Sequence, residues 1–468
     1  MGILGPRLVV AGTHSGVGKT TVATALMAAL RRAGERPVPA KAGPDFIDPG
    51  FHALATGQPG RNLDLWISGE QGVLALAGRA AAAGRILLVE GVMGLFDGAG
   101  WEPQAGPAAP FGSTAHLAGV LEAPVVLVVD ASGLSHSAAA LLAGYRDYPG
   151  GAWLKGVIFN RVGGAGHREL LMEAAGSVGV SVMGMLGKDE SLRRPSRHLG
   201  LVPASEDRAE AISAIEAAAA AVEAGCDLGA LVRLANSAPA KVVPDLAPVA
   251  KGPGAPVAVA SGKSFGFTYP DNLEALAAAG AELMPFDPGA DESLPAGAKG
   301  LYIGGGFPEL AALELAANTS LLAQVRQAHA QGLPIWAECG GMLWLTKSLD
   351  GARMAGIIPA EATMSDRLTL GYRRVQAVAD SPIAFRGGTL RGHEFHYSRL
   401  NWDNNSKDGP SPAWRAQGRR GASLEGYASG RLIATYVHAH LGSDPTPAER
   451  FVASCASPST PTRDVAAG

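Results

Sequence analysis

Cysteine, aromatic residues and charge are all scarce in this sequence, and each scarcity narrows what the chain can be. Only three cysteines, Cys226, Cys339 and Cys455, occur in 468 residues. They lie far apart and match neither a disulfide framework nor a CxxC metal site, which points to a reducing compartment. Charged residues make up 17% of the chain and the formal net charge is −3, with a pI near 6.4. No global basic field exists to grip a phosphate backbone, so nucleic acid is not expected as a partner. Apolar runs such as Val125–Val129 are far shorter than the roughly 20 residues that span a bilayer, and no membrane partner is expected either. The opening Met-Gly-Ile-Leu-Gly-Pro-Arg lacks the charged start, long apolar run and cleavage site of a signal peptide, so a cytoplasmic location is expected.

What is abundant is small and apolar: the hydrophobic fraction is 47% and glycines number 63. Such a chain has room for two or three domains with cores of their own. From Arg7 to about Val222, β-like runs (Leu8–Ala11, Ile86–Glu90, Val125–Asp130, Gly156–Asn160) alternate with helical stretches rich in alanine and leucine. That alternation predicts an α/β fold with a doubly wound parallel sheet over residues 1–225. Residues 226–254 are rich in proline and small side chains and read as a linker. The alternation restarts at Pro256–Ala260, so a second α/β domain is expected over 255–446. A frayed tail, 447–468, is expected to close the chain.

The segment Leu8-Val-Val-Ala-Gly-Thr-His-Ser-Gly-Val-Gly-Lys-Thr-Thr sets a glycine-containing loop between a strand and a helix. This is the context of a phosphate-binding loop, in which backbone N–H groups and a helix N-terminus face an anion. Thr13, Gly16, Val17, Gly18, Lys19, Thr20 and Thr21 are the expected ATP-binding residues. Lys19 would neutralise the outer phosphates and Thr20 would hold Mg²⁺. Gly12 stands one position earlier than the strict spacing asks. Strand-end Glu90, with Asp45 in Lys41-Ala-Gly-Pro-Asp-Phe-Ile-Asp-Pro, suits Mg²⁺ ligation, although Glu90 can equally cap the next segment and Asp48 can simply shape a turn. Asp97, in an Asp-Gly pair, either forms a turn or touches substrate. Asn160 either reads a base edge or caps the turn after its strand. The basic run Ser191–His198 is a solvated loop or, beside an active site, a grip on carboxylates through Arg197 and His198.

Further along, Leu333-Pro-Ile-Trp-Ala-Glu-Cys339-Gly-Gly-Met-Leu-Trp-Leu places a cysteine between an apolar strand and a helix. Isolated cysteines are usually buried and inert. This one has the setting of a nucleophile held near a helix N-terminus. His438, after the strand Leu432–Val437, is the candidate base. Backbone N–H groups of Gly305, Gly306 and Gly340 are the candidate oxyanion hole.

Glu-Cys-Gly-Gly, with Gly-Gly-Gly-Phe-Pro-Glu upstream and Val-His downstream, is similar to the triad-type glutamine amidotransferase domains. The front end resembles the dethiobiotin synthetase branch of P-loop ligases, which also uses the shifted glycine. Their fusion, together with Lys-Ala-Gly-Pro-Asp-Phe-Ile-Asp-Pro-Gly-Phe-His, Glu-Gly-Val-Met-Gly-Leu-Phe-Asp-Gly and Arg391-Gly-His-Glu-Phe-His-Tyr-Ser, resembles the cobyrinic acid a,c-diamide synthase family over nearly the whole chain. That resemblance implies ATP-dependent amidation of the a and c carboxylates of cobyrinic acid in cobalamin synthesis, with glutamine as the source of ammonia. It assigns the nucleophile to Cys339, the base to His438, the nucleotide and metal positions to Lys19, Thr20, Asp45 and Glu90, and the substrate loops to Asp48 and Asp97. The implied partners are a corrinoid polycarboxylate and L-glutamine, and a homodimer is the expected assembly. Rival readings are the same chemistry on hydrogenobyrinic acid or nickel sirohydrochlorin, and an ATPase switch with a non-catalytic C-terminal module. Typical triad amidotransferases carry glutamate two positions after the histidine. Here that position is His440, which leaves a Cys–His dyad or a third partner from elsewhere.

Overall fold

Arg7–Gly12 is buried along its whole length, as a strand covered on both faces must be. It lies near the centre of a seven-stranded sheet in the computed structural model of the chain. The structure describes residues 2–81, 84–99, 109–188, 207–246, 248–403 and 411–457. These fall into two units that meet in sequence after Leu246.

In the first unit the strand order is Arg61–Leu63, Pro37–Ala42, Ile86–Glu90, Arg7–Gly12, Val125–Asp130, Leu154–Val162 and Ser181–Gly187. All six pairings are parallel. Successive residues of a strand face opposite sides, and helices cover both. Val9, Val89 and Leu127 belong to one apolar cluster, Leu8, Val10, Leu88 and Val126 to the other. This is the expected doubly wound architecture. Parallel register brings the carboxyl ends of the strands to one edge, where the loops that carry chemistry gather. There Lys41 is opposite Glu90, and Asp130 opposite Asn160.

The expected linker is largely structured, and the first unit runs past the expected limit of 225. Asp227 caps a helix, Leu228–Asn236, by accepting from the Ala230 N–H, and that helix buries Leu231 and Ala235. Lys241–Val243 then pairs antiparallel with Gly2–Leu4 and buries Val243. Of the prolines that suggested a linker, Pro239 sits between these two elements, and Pro244, Pro248 and Pro253 follow them. Arg7 joins them to the sheet. Its fully buried guanidinium donates to the carbonyls of Leu121 at 2.5 Å, Gly5 at 2.7 Å, Leu4 at 3.3 Å and Pro239 at 2.7 Å. Arg7→Ala strands those acceptors, and a loss of about 3 kcal/mol is expected in denaturant melts of the chain. Arg7→Lys is not expected to restore it, because an ammonium lacks the planar fork.

The second unit holds a six-stranded sheet in the order Ala281–Phe286, Ala255–Ala260, Gly300–Ile303, Ile335–Glu338, Leu432–Thr435 and Tyr427–Ser429. Only the last pairing is antiparallel. A second sheet is built on a long hairpin, Ala360–Ala377 with Thr389–Trp402, for which the sequence reading placed no strands. The short strand His438–Ala439 adds to its edge opposite Gly392 and His393. The expected tail also needs correction. Thr446–Ala456 is a helix that buries Phe451, Val452 and Cys455, with Phe451 edge-on to Trp336. Only the Pro- and Thr-rich stretch from 458 onward lies outside the described residues. No helix among the described residues is long and apolar enough to cross a membrane.

Candidate active sites

In the first unit, Gly16 and Gly18 take φ values of 87° and 93°, a region that L side chains rarely adopt. A Cβ on Gly18 would stand 2.4 Å from the Asn160 amide nitrogen. The following helix, Lys19–Arg32, has no side-chain cap and no acidic residue in its first turn. Its leading N–H groups and the positive end of its dipole are therefore presented to an anion. Thr21 sits in that first turn. The loop is braced from two sides: Asn160 donates to the Val17 carbonyl at 2.9 Å, and the Tyr145 hydroxyl donates to the Thr13 carbonyl at 2.6 Å. Asn160 also accepts from the Arg161 N–H at 2.9 Å. Both ends of its amide hold backbone, which gives Asn160 a positioning role in the loop; the second N–H and second lone pair of the amide keep the base-edge reading open.

Beside the loop lies a buried charge network. Lys41 donates to Asp48 at 2.7 Å and to Glu90 at 2.8 Å, with Asp45 4.0 Å away. Thr20 donates to Glu90 at 2.5 Å and to Asp48 at 3.3 Å. His52 Nε2 lies 2.7 Å from the other Glu90 oxygen, and Lys19 Nζ is 4.0 Å from Glu90. Burial opposes the charge on Lys41, but Glu90, Asp48 and Asp45 outweigh it and hold the ammonium well above the usual lysine range. Burial, and then Asp48, oppose the charge on Glu90, but Lys41 and His52 together outweigh them and carry the carboxyl down to about 2. Burial, and then the like charge of Lys41, lowers Lys19.

Thr20, Asp48 and Glu90 thus bring together the oxygen donors that a hard cation such as Mg²⁺ takes, at the edge of the phosphate loop. The expected metal residue Asp45 fits less well. One of its oxygens accepts from the Ile47 and Asp48 N–H groups at 2.8 and 3.0 Å, and burial together with Asp48 raises its pKa to about 6. Asp48, expected at the substrate, lies closer to Thr20 and takes its place in the cluster. Asp97 accepts from the Gly94 N–H at 2.8 Å, which is the turn reading. Arg197 and His198 lie outside the described residues.

In the second unit, Cys339 closes the strand Ile335–Glu338 with φ 47° and ψ −106°. A non-glycine residue in this region stores about 1–3 kcal/mol, which the surroundings must hold. Here the Cys339 N–H donates to the Thr435 carbonyl at 2.7 Å, and the helix Gly340–Leu345 starts at once. The buried Sγ lies 3.7 Å from the Phe395 carbonyl. His438 is buried on the same side. Burial disfavours its charge, yet the polar and electrostatic interactions with Cys339 and Glu338 outweigh that and raise its pKa to about 9. Its Nδ1 is 3.7 Å from Glu338 Oε2. His393 stacks on His438 at 5.1 Å between centroids, and burial, then His438 and His440, hold it neutral. His396, lowered to about 4 mainly by burial, stacks on Tyr436. His440 Nε2 is 3.6 Å from Asp271 Oδ2, and its ring lies edge-on to Tyr269.

The oxyanion-hole expectation divides. The Gly305 N–H donates to the Phe267 carbonyl at 3.0 Å, so it is committed to an isolated bridge. Gly305 matters instead for its missing side chain, since a Cβ would stand 2.5 Å from His438 Cε1. Gly306 and Gly340 remain candidates: a Cβ on Gly340 would be 3.0 Å from the Gly306 nitrogen, which places the two backbones side by side.

Sequence reading missed Lys41, His52 and Glu338. Lys41 carried a signal, a lysine near the end of a fully buried strand, where burial demands an opposite charge. Glu338 was visible only as the neighbour of Cys339.

Comparison with known proteins fits this division of labour. Residues 8–202 match the CobQ/CobB/MinD/ParA nucleotide binding domain, and residues 256–446 match the CobB/CobQ-like glutamine amidotransferase domain. The hydrogenobyrinate a,c-diamide synthase of Streptomyces coelicolor is 46% identical, covering 96% of this chain and 97% of its own. That of Thermobifida fusca is 44% identical, covering 96% of each chain. The cobyrinate a,c-diamide synthase of Syntrophotalea carbinolica is 43% identical, covering 96% of this chain and 98% of its own. With a phosphate-loop domain and a Cys–His amidotransferase domain matched in that order, and relatives this similar along almost their whole length, the chain belongs to the a,c-diamide synthase family.

Proposed function

We propose that the protein converts the a and c side-chain carboxylates of a corrin, cobyrinate or its metal-free counterpart hydrogenobyrinate, to amides with glutamine-derived ammonia. The observation that carries this reading is the pairing, in one chain, of a charge-compensated phosphate-loop cluster with a strained cysteine beside a buried histidine. At the second site the Cys339 thiolate attacks the glutamine amide carbon. The Gly306 and Gly340 N–H groups receive the developing oxyanion. His438 gives its proton to the leaving nitrogen, the C–N bond breaks, and ammonia departs from a thioester. Water, deprotonated by His438, then releases glutamate and restores the thiol.

At the first site, ATP with Mg²⁺ supplies phosphoryl transfer, which turns an unreactive carboxylate into an acyl phosphate. The loop amides and Lys19 would hold the phosphates, Thr20, Asp48 and Glu90 would hold the cation, and Lys41, bonded to both carboxylates, fixes them in place. The nitrogen of ammonia then displaces phosphate.

The test supplies ATP, Mg²⁺ and glutamine isotopically labelled at the amide nitrogen, with cobyrinate, hydrogenobyrinate or nickel sirohydrochlorin. Two labelled amides in one corrin product, read by mass spectrometry, are expected. ATP turnover with no label in any tetrapyrrole would overturn the reading in favour of an ATPase switch.

A further inference from the structure

We infer that Glu338 is the third member of the glutaminase site, the carboxylate that orients His438. The inference rests on the glutaminase reading above and concerns a residue outside the Cys–His pair. Glu338 is 1% exposed, and both its oxygens are fixed. Oε1 accepts from the Ala439 N–H at 3.2 Å, and Oε2 accepts from the Tyr302 hydroxyl at 3.5 Å while lying 3.7 Å from His438 Nδ1. A carboxylate at Nδ1 fixes the tautomer, leaves Nε2 for the reacting sulfur and stabilises the imidazolium once formed.

The local backbone explains how one segment supplies both partners. Neighbours in a strand point to opposite faces. The positive φ of Cys339 breaks the strand at that step and turns the thiol back toward the ring that Glu338 already faces. The other titratable groups around His438 do not take this role. His393, stacked on it, is held neutral by burial. Glu394 forms an ion pair with Arg373 at 2.8 Å, and His396 Nδ1 donates to the Ser398 carbonyl of its own strand at 2.9 Å. His440 is turned toward Asp271.

Glu338→Gln keeps the shape and removes the charge, and two readouts are taken on the full chain. One is glutamine hydrolysis, split into kcat and KM. The other is the pH dependence of Cys339 alkylation by iodoacetamide, which follows the thiolate. The expected result is a kcat lower by about 10²–10⁴-fold with KM little changed. The alkylation profile is expected to move to higher pH, because without Glu338 the imidazolium that partners the thiolate is less favoured. Glu338→Asp, which keeps the charge but draws it back, is expected to lie between; it also serves if the glutamine variant does not fold. An alkylation profile unchanged in both variants overturns the inference, even if kcat falls, since lost packing alone leaves the profile in place. A profile moved by Asp271→Asn and not by Glu338→Gln also overturns it and assigns the role to the His440–Asp271 pair. If the unsubstituted chain hydrolyses no glutamine, the glutaminase reading itself fails, whatever Glu338 does.

Discussion

Replacing Cys339 by alanine abolishes glutamine-driven amidation while ammonium salts, at pH high enough to supply free ammonia, still drive it. Among the described residues Cys339 is the only cysteine beside His438, so on the proposed mechanism the expected fall in glutamine-driven turnover is about 10³-fold or more, as for removal of other catalytic nucleophiles. Ammonia needs no thioester. It meets the activated carboxylate at the first site, whose residues Lys19, Thr20, Asp48 and Glu90 belong to a different unit. The measurement is the rate of corrin amidation with each nitrogen source. Equal loss with both would mean that Cys339 supports the fold or the ligase step, and unchanged glutamine use would remove it from the chemistry altogether.

The second large effect is on stability. Glu90→Ala leaves Lys41 buried with only part of its counter-charge, and breaking a buried pair from one side destabilises by about 3–5 kcal/mol. Asp48, still 2.7 Å from Lys41, keeps the expected loss toward the lower end. Acid should mimic the substitution. The folded-state pKa of Glu90, about 2, lies below its ordinary value of 4.5. Its stabilising contribution is therefore fully present above 4.5 and fades as pH falls toward 2. Chemical melts of the chain and of Glu90→Ala between pH 7 and pH 3 are expected to differ most at pH 7 and to converge as pH drops. A constant gap across that range would mean that Glu90 acts through packing and not through charge.

Much of this was legible in the sequence because period and motif act locally. The four strands read in the first half and the placement of the phosphate loop follow from apolar runs and glycine spacing alone. Cys339 and His438 could be named because each ends an apolar strand. What stayed hidden depends on long-range pairing. The hairpin Ala360–Ala377 with Thr389–Trp402 carries arginines and exposed side chains on a half-solvated sheet, so its pattern is too mixed to announce a strand. Proline suggested a linker where short elements are stitched to the sheet by Arg7, a contact spanning 232 residues to Pro239. Composition also hid the last helix, whose apolar residues lie at helical spacing next to a Pro/Ser/Thr-rich end. In the sites, sequence could propose residue types from motif spacing but could not see the contacts between distant segments: Asn160 and Gly305 shape backbone, Asp45 caps a turn, and Asp48 joins the cluster beside Thr20.

Just after the parallel-sheet strand Leu432–Thr435, the chain reaches His438, an edge residue of the second sheet opposite His393. During synthesis this order matters. Cys339 emerges 99 residues before its base, and a chain halted before His438 holds a nucleophile with nothing to activate it. On the proposed mechanism, glutamine cleavage is expected to begin only when Leu432–Thr435 has joined its sheet and His438–Ala439 has paired with Gly392 and His393. The appearance of glutamine turnover in fresh translation product would then report that these last strands are in place.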